Sequence, residues 1–246
     1  MSAFLILAYL FFLGSLLGWG LEVLFRKFFS ASNPEHRWIN PGFCVGPYVP
    51  LYGFGLCILY LLAEMGDETG IENSAAGRAL LFFGMAVSMT VIEYLAGILL
   101  LKIAKVRLWD YSMLRGNING LICPLFSFFW ALLGAVYYFL IHAYILDALL
   151  WLANNLAFSF VIGFFFGVFT IDVAYSVQLI SRLKRFAEEN GVIVKYENLK
   201  AHIHAARERA KLRQRFFFPL QTVRPLQEHL QEARGALEKI RERRSS

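Results

Sequence analysis

Residues 3–25 read AFLILAYLFFLGSLLGWGLEVLF, and residues 79–101 read ALLFFGMAVSMTVIEYLAGILLL. Each stretch is long enough to cross the hydrocarbon core of a bilayer as a helix, which takes about 20 apolar residues. Each also contains one carboxylate, Glu22 in the first and Glu93 in the second. Because a charge near the bilayer centre costs roughly 2.5–3.5 kcal/mol even on insertion scales, we expect both side chains to face protein or a wet cavity.

The rest of the chain continues in long apolar blocks. Of its 246 residues, 58% are hydrophobic and 16% aromatic, and further blocks cover residues 48–63, 121–141 and 156–180. The sequence therefore predicts an all-α, polytopic membrane protein with five transmembrane helices. The second block is short and begins near Pro47 and Pro50, so residues 41–45 are expected to dip into the membrane before it. We expect the first span to be retained, because no basic region or cleavage motif of a signal peptide accompanies it.

The charges that flank the spans predict an orientation. Segments 26–46 and 102–120 are basic, whereas segment 64–78 is mostly acidic and segment 142–155 contains no Lys or Arg. Cytoplasmic loops are enriched in Lys and Arg. With five spans, this pattern places the N-terminus outside the inner (cytoplasmic) membrane and the C-terminus in the cytoplasm.

The net charge of +6 belongs to the C-terminal part of the chain. From residue 182 onward there are sixteen Lys and Arg against eight Glu, a net charge of +8. We therefore divide the chain into a transmembrane domain, residues 1–181, and a basic, helical cytoplasmic tail, residues 182–246. The fifth helix is expected to continue to about Glu189 and to end at Asn190-Gly191, with tail helices over 199–215 and 226–243. Such a tail predicts contact with anionic membrane lipids, and it lacks the motifs expected for nucleic-acid binding.

The first four spans resemble one hairpin used twice. The frame Gly-x-x-x-Pro-Leu-aromatic occurs at residues 46–52 and again at residues 120–126. Each frame follows an Asn-bearing loop and, further upstream, a span with a single Glu. The predicted repeats are residues 3–63 and 79–141, related by an axis along the membrane normal. The alternative is that Gly and Pro only mark two helix starts at an interface.

Glu22 shares a helix face with Gly14 and Gly18, a spacing that allows another helix to approach closely. The carboxylate is therefore expected to face protein. Arg26 follows one turn later, so the alternative is an ion pair at the membrane edge.

Glu93 has no basic residue on its own helix before Lys102, about 13 Å along the axis. We expect its partner to be a basic residue of the other repeat, a proton, a bound cation or a cationic substrate group. The alternative is a buried, protonated Glu that donates a hydrogen bond to a backbone carbonyl.

Three further polar residues lie in or near the predicted membrane region. Asn40 and Asn119 lie in the loops before the two Gly/Pro frames, where irregular backbone is tolerated only if it is buried or lines water. The alternative is that these are ordinary interfacial loops. Asp172 lies in the fifth span with Ser176 one turn away, and it either lines the same cavity or fastens the fifth helix to the bundle.

The sequence gives no sign of a cofactor or of catalytic machinery. The three cysteines and the histidines match no metal-ligand spacing. There is no P-loop, hydrolase elbow, zinc-protease motif or dinucleotide fingerprint. We therefore predict no metal, no cofactor and no ATPase activity in this chain.

A set of short motifs resembles one known family. They are Gly18-Trp19-x-x-Glu22, Asn40-Pro41-Gly42-Phe43, Gly46-Pro47-x-x-Pro50-Leu51-Tyr52-Gly53, Glu93-Tyr94-x-x-Gly97, Trp109-Asp110-Tyr111 and Asn119-Gly120. The chain resembles the bacterial membrane proteins labelled putative ABC-transporter type IV, or CmpB-like permeases, over about residues 12–142, with the fifth span and the tail outside the resemblance. It implies a membrane permease subunit that works with a separate ATPase or another membrane subunit.

These observations predict a permease-like transport component that is not an enzyme. Its polar centre would bind a small polar or lipid-like substrate through Glu22, Glu93, Asn40, Asn119, Trp19, Tyr94 and Asp172. The main alternative is a membrane scaffold or regulator whose tail binds anionic lipid or a soluble partner. An intramembrane enzyme is a third, less supported reading, because no pair of nucleophile and base stands out. A homo-oligomer is compatible with all three.

Overall fold

The computed structural model of the protein describes residues 1–30, 33, 35–196, 198–200, 203 and 228. Helices account for most of these residues. They are α1 (Ala3–Phe28), α2 (Pro50–Glu68), α3 (Ala75–Ala104), α4 (Pro124–Val136), α5 (His142–Asn154) and α6 (Ser159–Asn190). A π-helical turn, Tyr137–Ile141, joins α4 to α5, and short 3-10 turns lie at Ile71–Asn73 and Leu156–Phe158. The strands β1 (Val106–Arg107) and β2 (Val194–Lys195) pair in parallel.

Four helical segments in the described part of the chain are long and apolar enough to cross a membrane. They are Ala3–Phe28, Ala75–Ala104, Pro124–Asn154 and Leu156–Glu189, and they correspond to the first, third, fourth and fifth predicted spans. The predicted second span is α2, a helix of 19 residues whose last turns carry Glu64, Asp67 and Glu68. The protein is therefore a helical membrane protein, and the second of the five predicted spans stays a prediction.

The connection between the last two spans differs from the prediction. Residues 142–155 were expected to form a loop, but α5 begins at His142 and ends at Asn154. No Gly or Pro occurs between Tyr137 and Asn155, so no residue in this stretch stops the helix. The π-helical turn interrupts the regular α-helical hydrogen bonding without ending the helix. At this turn Tyr137 Oη lies 2.9 Å from His142 Nδ1.

The predicted end of the fifth helix is confirmed. Helix α6 runs to Asn190, and Gly191 follows with a left-handed φ of 62°. Glycine adopts this conformation without steric cost, which makes it the usual residue just after a helix. The two tail helices predicted at 199–215 and 226–243 fall largely outside the described residues.

Helices α1 and α2 pack at very short range. A Cβ added at Gly14 would lie 2.8 Å from Tyr52 O, and a Cβ at Gly18 would overlap the Tyr52 side chain. The prediction that this face of α1 receives another helix is therefore confirmed. The close approach places Tyr52, in the first turn of α2, directly against α1.

Two apolar clusters matter for the site. The main core contains residues of all five helices from α1 through α5 and of the start of α6. Its buried members include Leu10, Leu59, Met85, Trp130, Leu152 and Ile162. A second cluster, here called the tail cluster, joins the ends of α3 and α6 to the beginning of the tail. Its buried members are Ala104, Val106, Ile180, Leu183, Ala187, Val194, Tyr196, Leu199 and Ile203.

Candidate functional site

Glu22 lies near the end of α1 and accepts two hydrogen bonds. Arg26 Nε donates to Glu22 Oε1 at 2.9 Å, and Tyr52 Oη donates to Glu22 Oε2 at 3.0 Å. This ion pair with Arg26 is the alternative that the sequence suggests for Glu22. Tyr52, which comes from α2, adds a contact inside the bundle, so Glu22 is bound to protein on two sides.

Glu93 is more deeply buried and has a different set of partners. Only 3% of the residue is exposed. Tyr111 Oη donates to Glu93 Oε1 at 3.0 Å, and Trp130 Nε1 donates to Glu93 Oε2 at 2.9 Å. Both donors are neutral, and within the described residues Glu93 forms no ion pair. In the alternative considered for Glu93, a protonated carboxyl group would donate a hydrogen bond to a backbone carbonyl. No such hydrogen bond occurs among the described residues.

Aromatic rings connect the two carboxylates. The rings of Tyr52 and Trp130 lie 5.2 Å apart between centroids, at an angle of 51°. Tyr52 is bound to Glu22 and Trp130 is bound to Glu93, so one continuous row of contacts runs from one carboxylate to the other. We call this row the carboxylate chain: Arg26, Glu22, Tyr52, Trp130, Glu93 and Tyr111.

The two Gly/Pro frames contribute differently to this chain. Tyr52 ends the first frame and supplies a hydroxyl to Glu22, whereas the matching position in the second frame is Phe126, which has none. Tyr111 stacks on Phe126 with ring centroids 4.3 Å apart and supplies the hydroxyl that Glu93 accepts. A tyrosine from a loop thus takes the role in the second predicted hairpin that a helix tyrosine has in the first.

Asn40 ties its loop to α1. Its side-chain oxygen accepts a hydrogen bond from Trp19 Nε1 at 2.7 Å, and its amide nitrogen donates to Cys44 O at 3.2 Å and Val45 O at 2.8 Å. Asn40 is buried. Since Trp19 lies one turn before Glu22 on α1, these contacts attach the loop next to the carboxylate chain.

Asp172 fastens α6 to the same loop. Its carboxylate accepts hydrogen bonds from the backbone of Val45 at 3.0 Å and Gly46 at 2.7 Å. Tyr48 Oη and Ser176 Oγ also donate to it, the latter at 3.1 Å. Of the two roles considered for Asp172, this geometry favours the fastening of the last helix over the lining of a cavity.

Asn119 and Tyr94 form a hydrogen bond with each other. Asn119 Nδ2 donates to Tyr94 Oη at 3.0 Å. Asn119 is exposed and has a left-handed φ of 55°, followed by Gly120 with φ 66°. Asn119 and Gly120 together form the tight turn typical of an Asn-Gly sequence. Asn119 therefore shapes a turn, whereas Asn40, the predicted counterpart in the first hairpin, is buried and hydrogen-bonded through its side chain.

A further polar cluster links this turn region to the tail. Asp110 pairs with Arg107 Nη1 at 2.9 Å and with Lys195 Nζ at 2.5 Å. Burial alone would raise the pKa of Asp110, but hydrogen bonds from Lys195, Ser112 and Arg107 outweigh it and hold that pKa below its usual range. Asp110 thus stays ionised and joins its loop to β2.

Sequence reasoning did not assign the three aromatic residues of the carboxylate chain. Tyr52 and Tyr111 appeared only as parts of motifs, and Trp130 appeared only as one apolar residue of a span. A usable signal was present, because a Trp or Tyr buried in an apolar helix usually finds a hydrogen-bond acceptor. A carboxylate in a neighbouring span is such an acceptor.

The described residues contain no group of three or more His, Cys, Asp or Glu side chains that could hold a metal ion. The arrangement offers instead one carboxylate neutralised by Arg26 and a second with neutral donors. The first can act as a fixed charge. The second can exchange a proton or a cationic group.

Comparison with known proteins identifies a family. A family model described as putative ABC-transporter type IV covers residues 9–177, while no curated protein and no solved structure matches. The matched region includes the carboxylate chain and reaches past Asp172, so the expectation that the fifth span lies outside the resemblance is wrong. Since the match covers well over half of the chain, the protein belongs to the family described as putative ABC-transporter type IV.

Proposed function

We propose that the protein is a permease-like component of a transport system in the bacterial inner membrane, with its N-terminus outside and its tail in the cytoplasm. Membership of an ABC-transporter-type family supports a transport-related role. The chain has no P-loop, so a separate ATPase or another membrane subunit would supply the energy. The substrate class that fits the site is a small polar or lipid-like molecule.

The observation that carries the proposal is the different pairing of the two carboxylates. Glu22 has the guanidinium of Arg26 at 2.9 Å, whereas Glu93, buried and surrounded by neutral donors, has no ion pair in the described part of the chain. A buried charge without a counter-charge is unfavourable, so such groups take up a proton or a cation. In this proposal Glu93 is the exchangeable site and Glu22 is the fixed charge beside it.

The aromatic residues of the carboxylate chain would then hold Glu93 in place while its occupant changes. The Trp130 and Tyr111 donors bind one oxygen each, which keeps the carboxylate pointing into the bundle. Tyr52 lies between Trp130 and Glu22. A cationic group of a substrate bound near Glu93 would therefore meet aromatic faces, which favour cations, and one hydrogen-bonded carboxylate.

A second candidate function is a membrane scaffold or regulator. It is favoured by the side chains of Asn40 and Asp172, which form internal hydrogen bonds that hold the loop before α2. If Glu22 and Glu93 also serve only to hold helices together, the whole polar set is structural.

If Glu93 is the exchangeable site, the protein alone should let protons equilibrate down a gradient without an ATPase or a substrate, so proton flux separates the two candidates. The purified protein is reconstituted in liposomes that contain the pH-sensitive dye pyranine, and a potassium diffusion potential drives protons inward. We expect flux above that of empty liposomes for the wild type, and loss of this flux in Glu93→Gln. Glu188→Gln, the same change at an exposed position of α6, is the matched control and should keep the flux. A scaffold would give the rate of empty liposomes for all three proteins.

A further inference from the structure

Lys200 is a buried lysine of the tail. Only 4% of the residue is exposed, which is rare for lysine unless its charge is paired or hydrogen-bonded. Its ammonium donates to Asn40 O at 3.0 Å and to Gly42 O at 2.8 Å. It also lies 4.6 Å from the ring centroid of Tyr196, four residues earlier in the chain. Two carbonyl oxygens and an aromatic face thus hold this cation.

The loop that Lys200 binds is the loop attached to α1 and α6. Asn40 gives its backbone carbonyl to Lys200 and its side-chain oxygen to Trp19. Two residues beyond Gly42 the loop is buried again at Cys44, and Asp172 of α6 binds the next two backbone amides. A contact made by the tail is therefore coupled through the loop to the helix that carries Glu22.

The same tail segment also contacts the second hairpin. Strand β2 pairs with β1, and Lys195 forms its ion pair with Asp110. Tyr196, Leu199 and Ile203 are buried in the tail cluster. The described residues of this segment therefore touch the loops of both predicted hairpins, through Lys200 on the first and Lys195 on the second.

We propose that residues 194–196 and 198–200, together with Ile203, form a clamp that joins the two predicted hairpins at their cytoplasmic ends and that the Lys200 contact keeps the loop of residues 40–48 closed. When Lys200 leaves the two carbonyls, this loop opens. The opening itself does not require transport. That it admits solutes to the carboxylate chain rests on the function proposed above.

The test measures how often the loop opens, with Cys44 as the reporter. Cys44 is 4% exposed and lies between the residues bound by Lys200 and those bound by Asp172. In the full chain carrying Cys57→Ser and Cys123→Ser, Cys44 is the one cysteine that remains of the three in the sequence. Its rate of reaction with a water-soluble maleimide is measured in nanodiscs.

We compare Lys200→Met, which keeps the apolar stem and removes the ammonium, with Lys184→Met. Lys184 lies on α6, is 41% exposed and forms only a long contact of 3.8 Å with Glu188, so it is the matched control. We expect Lys200→Met to speed labelling at least about tenfold, because two hydrogen bonds from a charged donor are lost. Lys184→Met should stay within about twofold of the wild type. Equal rates for the two variants would overturn the clamp.

A second variant keeps the test decisive if Lys200→Met does not fold, as judged by size-exclusion chromatography. Tyr196→Leu retains an apolar side chain in the tail cluster and removes the ring beneath the ammonium, so we expect labelling a few-fold faster than wild type. A wild-type rate in Tyr196→Leu would then overturn the proposal. Labelling is independent of flux, so faster labelling without proton flux would refute the transport function and leave the clamp standing.

Discussion

Replacing Trp130 by Phe removes one of the two hydrogen bonds that Glu93 accepts, and the cost depends on the charge of Glu93. A hydrogen bond to a charged group contributes about 1.5–3 kcal/mol, whereas polar contacts between membrane helices average about 0.6 kcal/mol. If Glu93 is ionised when the site is empty, Trp130→Phe should lower the free energy of unfolding by about 1.5–3 kcal/mol. In a Glu93→Gln background it should lower that free energy by only about 0.6 kcal/mol, plus the cost of the smaller ring.

The smaller ring leaves the same space in both backgrounds, so its cost cancels in a double-mutant cycle. The expected coupling between Glu93 and Trp130 is therefore about 1–2 kcal/mol. The assay is equilibrium unfolding in mixed micelles at alkaline pH, where Glu93 has released any proton that it takes up in the empty site, followed by far-UV circular dichroism. Trp151, which is exposed on α5, provides the control, because Trp151→Phe should show no coupling to Glu93→Gln. A coupling below about 0.5 kcal/mol for Trp130, the usual error of additivity, would refute the reasoning that Glu93 is a hydrogen-bonded charge.

Three further predictions concern packing, the loop and pH. Gly18→Ala should lower the free energy of unfolding by about 1–3 kcal/mol, since its Cβ would overlap a ring. Gly20→Ala should not lower the free energy of unfolding in the same chemical-unfolding assay, because a Cβ added at Gly20 would meet no described neighbouring atom within 4 Å. Asp172→Asn should cost about 1–3 kcal/mol, because an amide cannot accept at both positions, while Asp147→Asn at an exposed site of α5 should leave the unfolding midpoint unchanged. For Asp110 the folded pKa lies below the ordinary value of 3.8, so its stabilisation is complete above about pH 5 and is lost as the pH falls below about 4. The difference in melting temperature between wild type and Asp110→Asn should therefore be constant from pH 8 to 5 and shrink on further acidification; a difference that grows there would contradict the ion pairs.

The long elements could be predicted from sequence because the signals are local. Apolar length marks α1, α3 and α6, and Gly191 marks the end of α6 through its left-handed conformation. The prediction of a loop at residues 142–155 was wrong for an equally local reason. Its lack of Lys and Arg suits a loop outside the membrane, but the same stretch also lacks Gly and Pro, and the helix continues through it.

The partners of the site could not be predicted because they depend on contacts between distant residues. Trp130 lies 37 positions from Glu93, and its indole N–H marks it as a hydrogen-bond donor without showing which acceptor it reaches. Lys200 is one of sixteen basic residues from residue 182 onward, and only the fold shows that it is buried against carbonyls of residues 40 and 42. Glu22 was the easier case, because its partner Arg26 is one turn away.

The position of Trp130 gives this protein a built-in optical probe. Its indole nitrogen binds Glu93, and its ring faces the tyrosine that binds Glu22, so the fluorophore senses both acidic groups at once. Indole emission shifts with nearby charge, and a variant that keeps Trp130 while the other four Trp residues of the chain are replaced by Phe would emit from that position alone. Titrating such a variant with candidate solutes would turn the search for the cargo into a simple spectral screen that needs no radioactive or tagged compound.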